Sequence, residues 1–463
     1  MDLATALPFL MFAALLAMLM AGFPVAYTLG GTAIVFAMIA YFHPAVDFYI
    51  NDFGFVPSRI FGIVQNFTLI AVPLFIFMGM MLEKSNLARE LLESMEFIFR
   101  RVTGGLAVSV VVVGALLAAS TGIVGATVVT MGVLSLPTML ARGYDKGLAT
   151  GTIAASGTLG QIIPPSIVLV LLGDIMNVDV GNLFTGAIFP GVMLVLMYVV
   201  YLGVRIRRHP SLGPRARDAA ENVPEGRSAA EYVARSLLPP ALLILLVLGS
   251  ILGGIASPTE AAACGATGAI VLTVVKRRLT LKVMKDVMRQ TAFTTAMVFT
   301  ILIGAQVFGV VFRGLRGDFV IESFVANMQV DPRFILLAIM ALMFVLGFFL
   351  DFIEICFIVI PIMMPLLYGL EIGGMGLEAK SLWMAIMIAI NLQTSFLTPP
   401  FGFALFYLKG VAPKEVTTAD IYRGVVPFVG IQLIALAIVY FVPEIVLWLP
   451  RRIFGPAGLG ESG

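Results

Sequence analysis

The sequence predicts an all-α polytopic membrane protein, built from an inverted repeat that holds two re-entrant helical hairpins and two discontinuous helices. Of the 463 residues, 60% are hydrophobic and 12% are charged, which lies far from the composition of soluble domains. The long apolar runs lack strand-like alternation, which favours a bundle of helices over a β-barrel. In addition, a proline pair interrupts one apolar stretch in each half of the chain, at residues 157–166 and 392–401.

The length of the chain sets the number of spans. A hydrocarbon core of about 30 Å requires roughly 20 apolar residues for each helical span, so about ten spans fit, without room for a sizeable soluble domain. The predicted spans are residues 4–22, 24–41, 59–82, 147–176, 183–204, 237–254, 258–275, 291–312, 381–408 and 425–447.

Charge in the loops orients these spans, because lysine and arginine near span ends concentrate on the cytoplasmic side. Two basic clusters, within residues 205–235 and 276–289, predict two cytoplasmic loops joined by an outgoing and a returning span. Counting spans from these loops places both termini outside the cytoplasm. The first cluster consists of Arg205, Arg207, Arg208, Arg215, Arg217, Arg227 and Arg235.

Two further apolar segments, residues 104–140 and 334–367, do not fit as single crossings. The first would extend about 55 Å as one helix, nearly twice the hydrocarbon thickness, and basic residues flank both of its ends. A re-entrant hairpin that bends at the small residues near its midpoint is the favoured interpretation, and two short spans are the alternative. The second segment has the same pattern, and the span count predicts that it enters from the opposite side.

An amphipathic stretch precedes each hairpin, at residues 83–101 and 313–333, and predicts either an interfacial arm or a solvated loop helix. Each half then contains a span, an arm, a hairpin, a proline-broken span and a span, repeated after about 230 residues and inverted in the membrane. Inverted repeats with discontinuous helices are typical of secondary transporters. The predicted units are N-terminal scaffold helices (1–56), a first repeat (57–207), a cytoplasmic loop (208–236), connecting helices (237–290), a second repeat (291–448) and a C-terminal tail (449–463).

The two breaks predict an ion and solute site, because backbone groups freed at a break must find protein, water or an ion. We expect carbonyl oxygens before each proline pair to coordinate sodium, the hairpin midpoints to supply further ligands, and the helix N-termini after the breaks to face an anionic solute group. Small residues and prolines also serve helix packing and kinking, but two segments at matching inverted positions favour a site. The candidate residues are Ser120, Thr121, Gly122, Gly125, Thr127, Gly157, Thr158, Gly160, Gly347, Asp351, Thr394, Ser395 and Thr398.

Asp351 is the sharpest single candidate, since a carboxylate deep in an apolar stretch costs at least a few kcal/mol. It could ligate sodium, carry a proton or cap the hairpin, and Glu354 is expected to share its face. Glu260 is expected instead to interact with a helix N-terminus. The two histidines, His43 and His209, lie beside prolines in predicted loops. No catalytic pair, metal cluster, phosphate loop or organic cofactor is therefore indicated, and neither enzymatic activity nor nucleic-acid binding is expected.

Four motifs, at residues 151–166, 255–263, 347–351 and 397–402, resemble those of the large membrane subunit of tripartite ATP-independent periplasmic (TRAP) transporters, and they occur in that family's order. The resemblance covers nearly the whole chain. It implies an elevator-type transporter of the bacterial inner membrane with sodium as the coupling ion. Sodium sites in the family lie between each hairpin tip and its neighbouring broken helix, where the candidate residues fall.

The resemblance also implies partners and a substrate class. A separate small membrane subunit of about four helices and a periplasmic substrate-binding protein that delivers a small organic acid are expected. The first hairpin tip departs from the pattern of sialic-acid and dicarboxylate members and is closer to a branch associated with mannitol and chloroaromatic compounds, so the solute stays open. An autonomous sodium or proton antiporter, in which Asp351 carries the exchanged ion, is the alternative.

Overall fold

The computed structural model describes residues 3–43, 46, 48, 53–85, 87–99, 101–213, 229–327 and 330–455. These residues form 21 α-helices with short 3-10 and π-helical turns, in agreement with the predicted all-α class. Most of the predicted cytoplasmic loop, including Arg215, Arg217 and Arg227, lies outside the described residues, as does the end of the predicted tail.

The first half of the chain contains ten helices. Two of them, joined by a short turn, correspond to the first predicted hairpin, and another two flank the first proline pair. The helices are α1 (Leu3–Met20), α2 (Val25–Phe42), α3 (Phe55–Val64), α4 (Ala71–Lys84), α5 (Leu87–Phe99), α6 (Gly105–Thr121), α7 (Val124–Ala141), α8 (Lys146–Thr158), α9 (Ile167–Ile175) and α10 (Val180–Arg208).

The second half repeats this order after two connecting helices. The helices are α11 (Ala229–Leu252), α12 (Pro258–Val275), α13 (Leu281–Gly314), α14 (Gly317–Asn327), α15 (Pro332–Leu346), α16 (Phe352–Glu354), α17 (Ile360–Gly369), α18 (Leu377–Leu397), α19 (Phe403–Val411), α20 (Thr418–Phe441) and α21 (Glu444–Phe454). A π-helical turn over Ile355–Val359 makes α16 and α17 continuous.

The predicted span over residues 59–82 is not one continuous helix, because it breaks between α3 and α4, which are bent by 55°. The Asn66 side chain accepts a hydrogen bond from the Thr68 backbone N–H at 2.9 Å and so closes a local turn that competes with the helix. The matching segment of the second half, α13, is instead one helix of 34 residues. It begins ten residues before the predicted span because the Thr280 hydroxyl caps it at the Val283 N–H.

The predicted last span, residues 425–447, is also wrong in its bounds. A capping box between Thr417 and Asp420 starts α20 early, and Pro443 follows its end at Phe441. The amphipathic helix α21 then begins at Glu444 and packs against α10 and α18. By contrast, the prediction for Glu260 is confirmed: its carboxylate forms a capping box with Ser257 at the start of α12.

Length and composition support a polytopic membrane protein. In the described part of the chain, seven helices are long and apolar enough to cross a membrane, or eight if the bent pair α3–α4 counts as one span, and four more are apolar but shorter. The second arm of each hairpin, Val124–Ala141 and Phe352–Gly369, is among the seven. Length alone therefore allows both the re-entrant and the two-span interpretations of the hairpins.

The amphipathic segment before the first hairpin forms the helix α5. Ion pairs connect α5 to the residues that follow α12 and to the residue that follows α7. Glu90 pairs with Lys276 and Arg278 at the end of α12, with 2.6 Å between Arg278 Nη2 and Glu90 Oε1. Near its other end, Glu96 pairs with Arg142, which follows α7. This arm thus contacts both the connecting helices and the first hairpin.

Candidate functional site

The tip of the first hairpin packs against the first broken helix. Gly122 turns the chain between α6 and α7 with a φ of +61°, which glycine adopts at low cost. A Cβ atom placed on Gly122 would lie 3.0 Å from Ile167 Cγ1 and 3.3 Å from the Ile167 backbone nitrogen, so the tip touches the start of α9. On the other side of the break, a Cβ on Gly160 would lie 3.2 Å from the Ala118 carbonyl oxygen. The hairpin therefore encloses the first break.

The second hairpin lies equally close to the second broken helix. A Cβ on Gly347 would lie 2.7 Å from Ser395 Cβ, in the last turn of α18. Aromatic contacts extend this interface, since the rings of Phe349 and Phe401 are 5.5 Å apart between centroids. Each hairpin tip is thus packed on its own break, and both X-Pro bonds within the proline pairs, at Pro165 and Pro400, are cis.

Asp351 lies at the tip of the second hairpin and caps the helix that follows. Its Oδ1 accepts a hydrogen bond from the Phe352 N–H at 2.7 Å, and its own N–H donates to Glu354 Oε2 at 3.0 Å. Capping is one of the three roles that the sequence allowed. No ion pair among the described residues involves either carboxylate, so two acidic groups stand at the tip without a basic partner. Such an arrangement favours the binding of a cation or of protons.

Tyr407 of the second repeat packs on the first hairpin, and sequence reasoning missed it. The Cβ position of Gly125, near the first tip, is 3.0 Å from the Tyr407 ring, which belongs to the second repeat. Its location on α19, directly after the second break, was the available signal. The contact brings elements of the two repeats together at one place.

Four of the described hydroxyl groups near the breaks donate to carbonyls of the local helical turn. A hydroxyl has one proton and two lone pairs, so each such oxygen still has electron pairs to offer a cation. The bonds are Thr127 to the Ile123 carbonyl (3.1 Å), Thr158 to Ala155 (2.9 Å), Thr394 to Ile390 (2.7 Å) and Ser395 to Leu392 (2.8 Å). The side chains of Ser120 and Thr121 lie outside the described part of the structure.

The expectation of free carbonyls at the second break is wrong. The Thr394 carbonyl accepts the Thr398 hydroxyl at 2.7 Å, the Ser395 carbonyl accepts the Thr398 N–H at 3.1 Å, and the Thr398 carbonyl accepts the Gly402 N–H at 3.1 Å. Thr398 and the turn after it replace the helical donors that the break removes. Each of these oxygens retains one lone pair. At the first break, the α-helix ends at Thr158 and one 3-10 turn follows to Gln161.

Two buried glutamines beside the breaks were also missed by sequence reasoning. Gln161 is fully buried, and neither atom of its amide has a hydrogen-bond partner in the described structure. Such a group needs a water, an ion or a ligand to offset its burial. Gln393, near the end of α18, is likewise fully buried, and neither atom of its amide has a hydrogen-bond partner in the described structure. Their signal in the sequence was a polar residue inside each quoted break motif.

A cavity of about 470 Å³ opens at the tip of the second hairpin. Its wall includes Phe349, Phe401 and Lys409, and Met20 at the end of α1 completes it. The cavity is lined by the end of α1 and by second-repeat residues at the hairpin tip, the second break, α19 and the start of α20. We refer to this as the tip opening.

Comparison with known proteins identifies similar chains. Residues 12–445 match the family model described as tripartite ATP-independent periplasmic transporter, DctM component. The chain is 30% identical to the C4-dicarboxylate TRAP transporter large permease protein DctM of Pseudomonas aeruginosa, over 85% of this chain and 88% of that protein. It is 28% identical to the sialic acid TRAP transporter large permease protein SiaM of Vibrio cholerae, over 95% of this chain and 97% of that protein.

A solved structure shares the fold. The Alcanivorax borkumensis YdaH transporter superposes with a TM-score of 0.60, covering 94% of this chain and 99% of that chain. The sequence identity is 14%, so the similarity concerns the fold alone.

Proposed function

The chain belongs to the DctM component family of tripartite ATP-independent periplasmic (TRAP) transporters, as a large membrane subunit, and on this premise we propose that it imports a small organic acid with sodium. The solute would be delivered by a periplasmic binding protein, and a small membrane subunit would complete the complex in the inner membrane. One observation carries the proposal: both hairpin tips pack directly on the breaks of discontinuous helices. Gly122 contacts Ile167 at the first break, and Gly347 contacts Ser395 at the second. Broken helices at a repeat interface are where secondary transporters bind ions and solute.

Sodium is cargo in this scheme, and the residues present fit it. At the first site, the backbone around Gly157 and Gly160 and the hydroxyls of Thr127 and Thr158 offer oxygen atoms. At the second, Asp351 adds a carboxylate that has no ion-pair partner among the described residues, together with the hydroxyls of Thr394 and Ser395. A hard cation such as sodium suits such oxygen ligands.

The sodium gradient and the membrane potential supply the driving force. Each positive charge that moves inward gains about 2.3 kcal/mol per 100 mV, so two sodium ions with one monoanion carry a net charge that the potential pulls inward. No nucleotide is needed for this coupling.

An elevator movement is part of the proposal. The mobile block would consist of the two hairpins, the two broken helices, α10 and α20, which pack on one another. The scaffold would consist of α1 to α4 and α11 to α13. Within the block, α8 and α20 approach so closely that a Cβ on Gly151 would lie 3.0 Å from the Gly424 Cα, which favours rigid-body motion of these helices.

Reconstituted uptake tests the proposal. The chain, its small subunit and the cognate binding protein are placed in proteoliposomes, and uptake of candidate acids is measured with and without a sodium gradient at constant membrane potential. We expect uptake only when sodium and the binding protein are both present. Uptake that is unchanged when another monovalent cation replaces sodium would contradict sodium coupling, and uptake without the binding protein would favour the antiporter alternative.

A further inference from the structure

A second polar cavity, of about 680 Å³, lies between the proposed scaffold and mobile block. Arg59, in the middle of α3, and Arg313, at the end of α13, line it from the scaffold, whereas Asp174 and Tyr368 line it from the block. In the proposed orientation these positions lie at the periplasmic end, opposite the tip opening. We name this cavity the arginine vestibule, after its polar residues Ser58, Arg59, Asn66, Asp174, Arg313 and Asp318.

The vestibule holds two arginines and two aspartates, but neither arginine forms an ion pair with a described residue. Arg59 is close enough to act electrostatically on Arg313, and no ion pair in the described part of the chain involves either residue. Asp174 accepts a hydrogen bond from the Asn66 side chain, across the boundary between block and scaffold. Asp318 partly offsets the charge of Arg313, while its Oδ1 accepts the N–H of the following residue at 2.9 Å. Two neighbouring guanidinium groups repel each other, and an anion bound between them would relieve this cost.

We propose that the arginine vestibule binds the carboxylate or sulfonate group of the incoming solute before the solute reaches the site between the hairpins. A guanidinium presents a rigid fork of donors that matches such oxyanions in a bidentate geometry. The volume of the cavity lies within the range of small-molecule pockets, about 300–1,000 Å³. This inference rests on the proposed import function and adds an entry site to it.

The position of the second hairpin supports an entry role. Pro361 and Tyr368, on α17, line the vestibule, whereas Phe348 and Phe349 at the tip of the same hairpin line the tip opening. The hairpin thus stands between a solute in the vestibule and the opening on the other side, as alternating access requires.

Direct binding to purified protein tests the vestibule. The wild-type complex of large and small subunits, without binding protein, is titrated calorimetrically with succinate, N-acetylneuraminate and isethionate as probes. We then compare Arg59→Gln and Arg313→Gln with the control Arg333→Gln, an exposed arginine at the start of α15 that does not line the cavity. Loss of one bidentate charged contact should weaken binding of the tightest probe by about 10-fold or more. The control should bind like the wild type.

The same variants are then assayed for uptake. We expect a higher KM for the solute-loaded binding protein, with Vmax and the half-saturating sodium concentration unchanged. The proposal that the vestibule binds solute would be overturned if the wild-type protein bound no probe at millimolar concentration, or if all variants bound the probes equally. If the arginine variants raise the KM but bind the probes like the wild type, the arginines would serve docking of the binding protein. That result would also overturn the proposal that the vestibule binds solute. Absence of sodium-driven uptake in the wild type would overturn only the proposed function, because direct binding is measured separately.

Discussion

Replacing Gly157 with alanine perturbs the first proposed sodium site through packing alone. The new Cβ would lie 3.2 Å from both the Cα and the backbone nitrogen of Val128 on α7, and closer still to Val128 Cγ2. Carbon atoms pack at about 3.5–4.0 Å, so the hairpin arm must withdraw by roughly 0.5 Å even if the valine side chain rotates away. Overpacking of this kind costs about 1–3 kcal/mol.

If the separation of hairpin and break sets sodium affinity, this cost appears as a rise of about 5- to 150-fold in the half-saturating sodium concentration for uptake. Proteoliposome uptake measured against sodium concentration, at constant potential, gives that value. Gly430→Ala is the matched control, because this helical glycine of α20 has no atom within 4 Å of its Cβ position. The double variant Gly157→Ala, Val128→Ala removes the clashing methyl group and should recover part of the affinity.

Two results would refute this reasoning. Gly157→Ala protein that reaches the membrane in normal amounts and retains wild-type sodium affinity would show that the contact between hairpin and break does not shape the site. An equal loss in Gly430→Ala would show that any alanine in the block impairs transport, so that the packing argument would explain nothing.

The remaining predictions concern the second site and its controls. Asp351→Asn should abolish sodium-dependent uptake, although the protein should still insert into the membrane. The control Glu260→Gln, at an exposed helix cap, should retain uptake within about twofold. A helix cap contributes only to stability, by about 1 kcal/mol. Replacing sodium by choline should lower the thermal unfolding temperature of the purified wild type. A ligand at ten times its dissociation constant stabilises the folded protein by about 1.4 kcal/mol. In Asp351→Asn, sodium and choline should give the same unfolding temperature. Tyr407→Ala should impair uptake by at least about 10-fold through lost contact with Gly125, and Tyr407→Phe should do so much less if ring packing is its main role. Equal activity of wild type and Tyr407→Ala would remove this residue from the site.

The helical elements of the two repeats were predictable from local sequence. The first hairpin was predicted over residues 104–140, and α6 and α7 extend from Gly105 to Ala141. The breaks lie at the two proline pairs, because proline removes a backbone donor wherever the fold places it. The cap at Glu260 was equally local, since Ser257 and Glu260 are three residues apart.

Other features depended on contacts that no local pattern records. Asn66 lies at the bend between α3 and α4. Its side chain accepts a hydrogen bond from the Thr68 N–H in the local turn and donates one to Asp174, 108 residues away. The second proline pair was predicted to free the carbonyls near Thr394, Ser395 and Thr398, yet the Thr398 hydroxyl and N–H bond two of them. Tyr407 and Gln161 became candidates only when their surroundings were known, because burial and missing partners are properties of the packed structure.

The sequence by itself determined that this protein is a helical membrane protein with two broken helices and two hairpin segments, because hydrophobicity, proline and loop charge act over a few residues. Its motifs also carried the resemblance to the TRAP family. Only the tertiary structure decided that each hairpin tip rests on its own break, that Tyr407 lies between the repeats, and that Arg59 and Arg313 share one cavity. Those features arise from close packing between segments that are distant in the sequence, from 45 residues for Gly122 and Ile167 to 282 for Gly125 and Tyr407, and the free energy of such contacts depends on the whole fold.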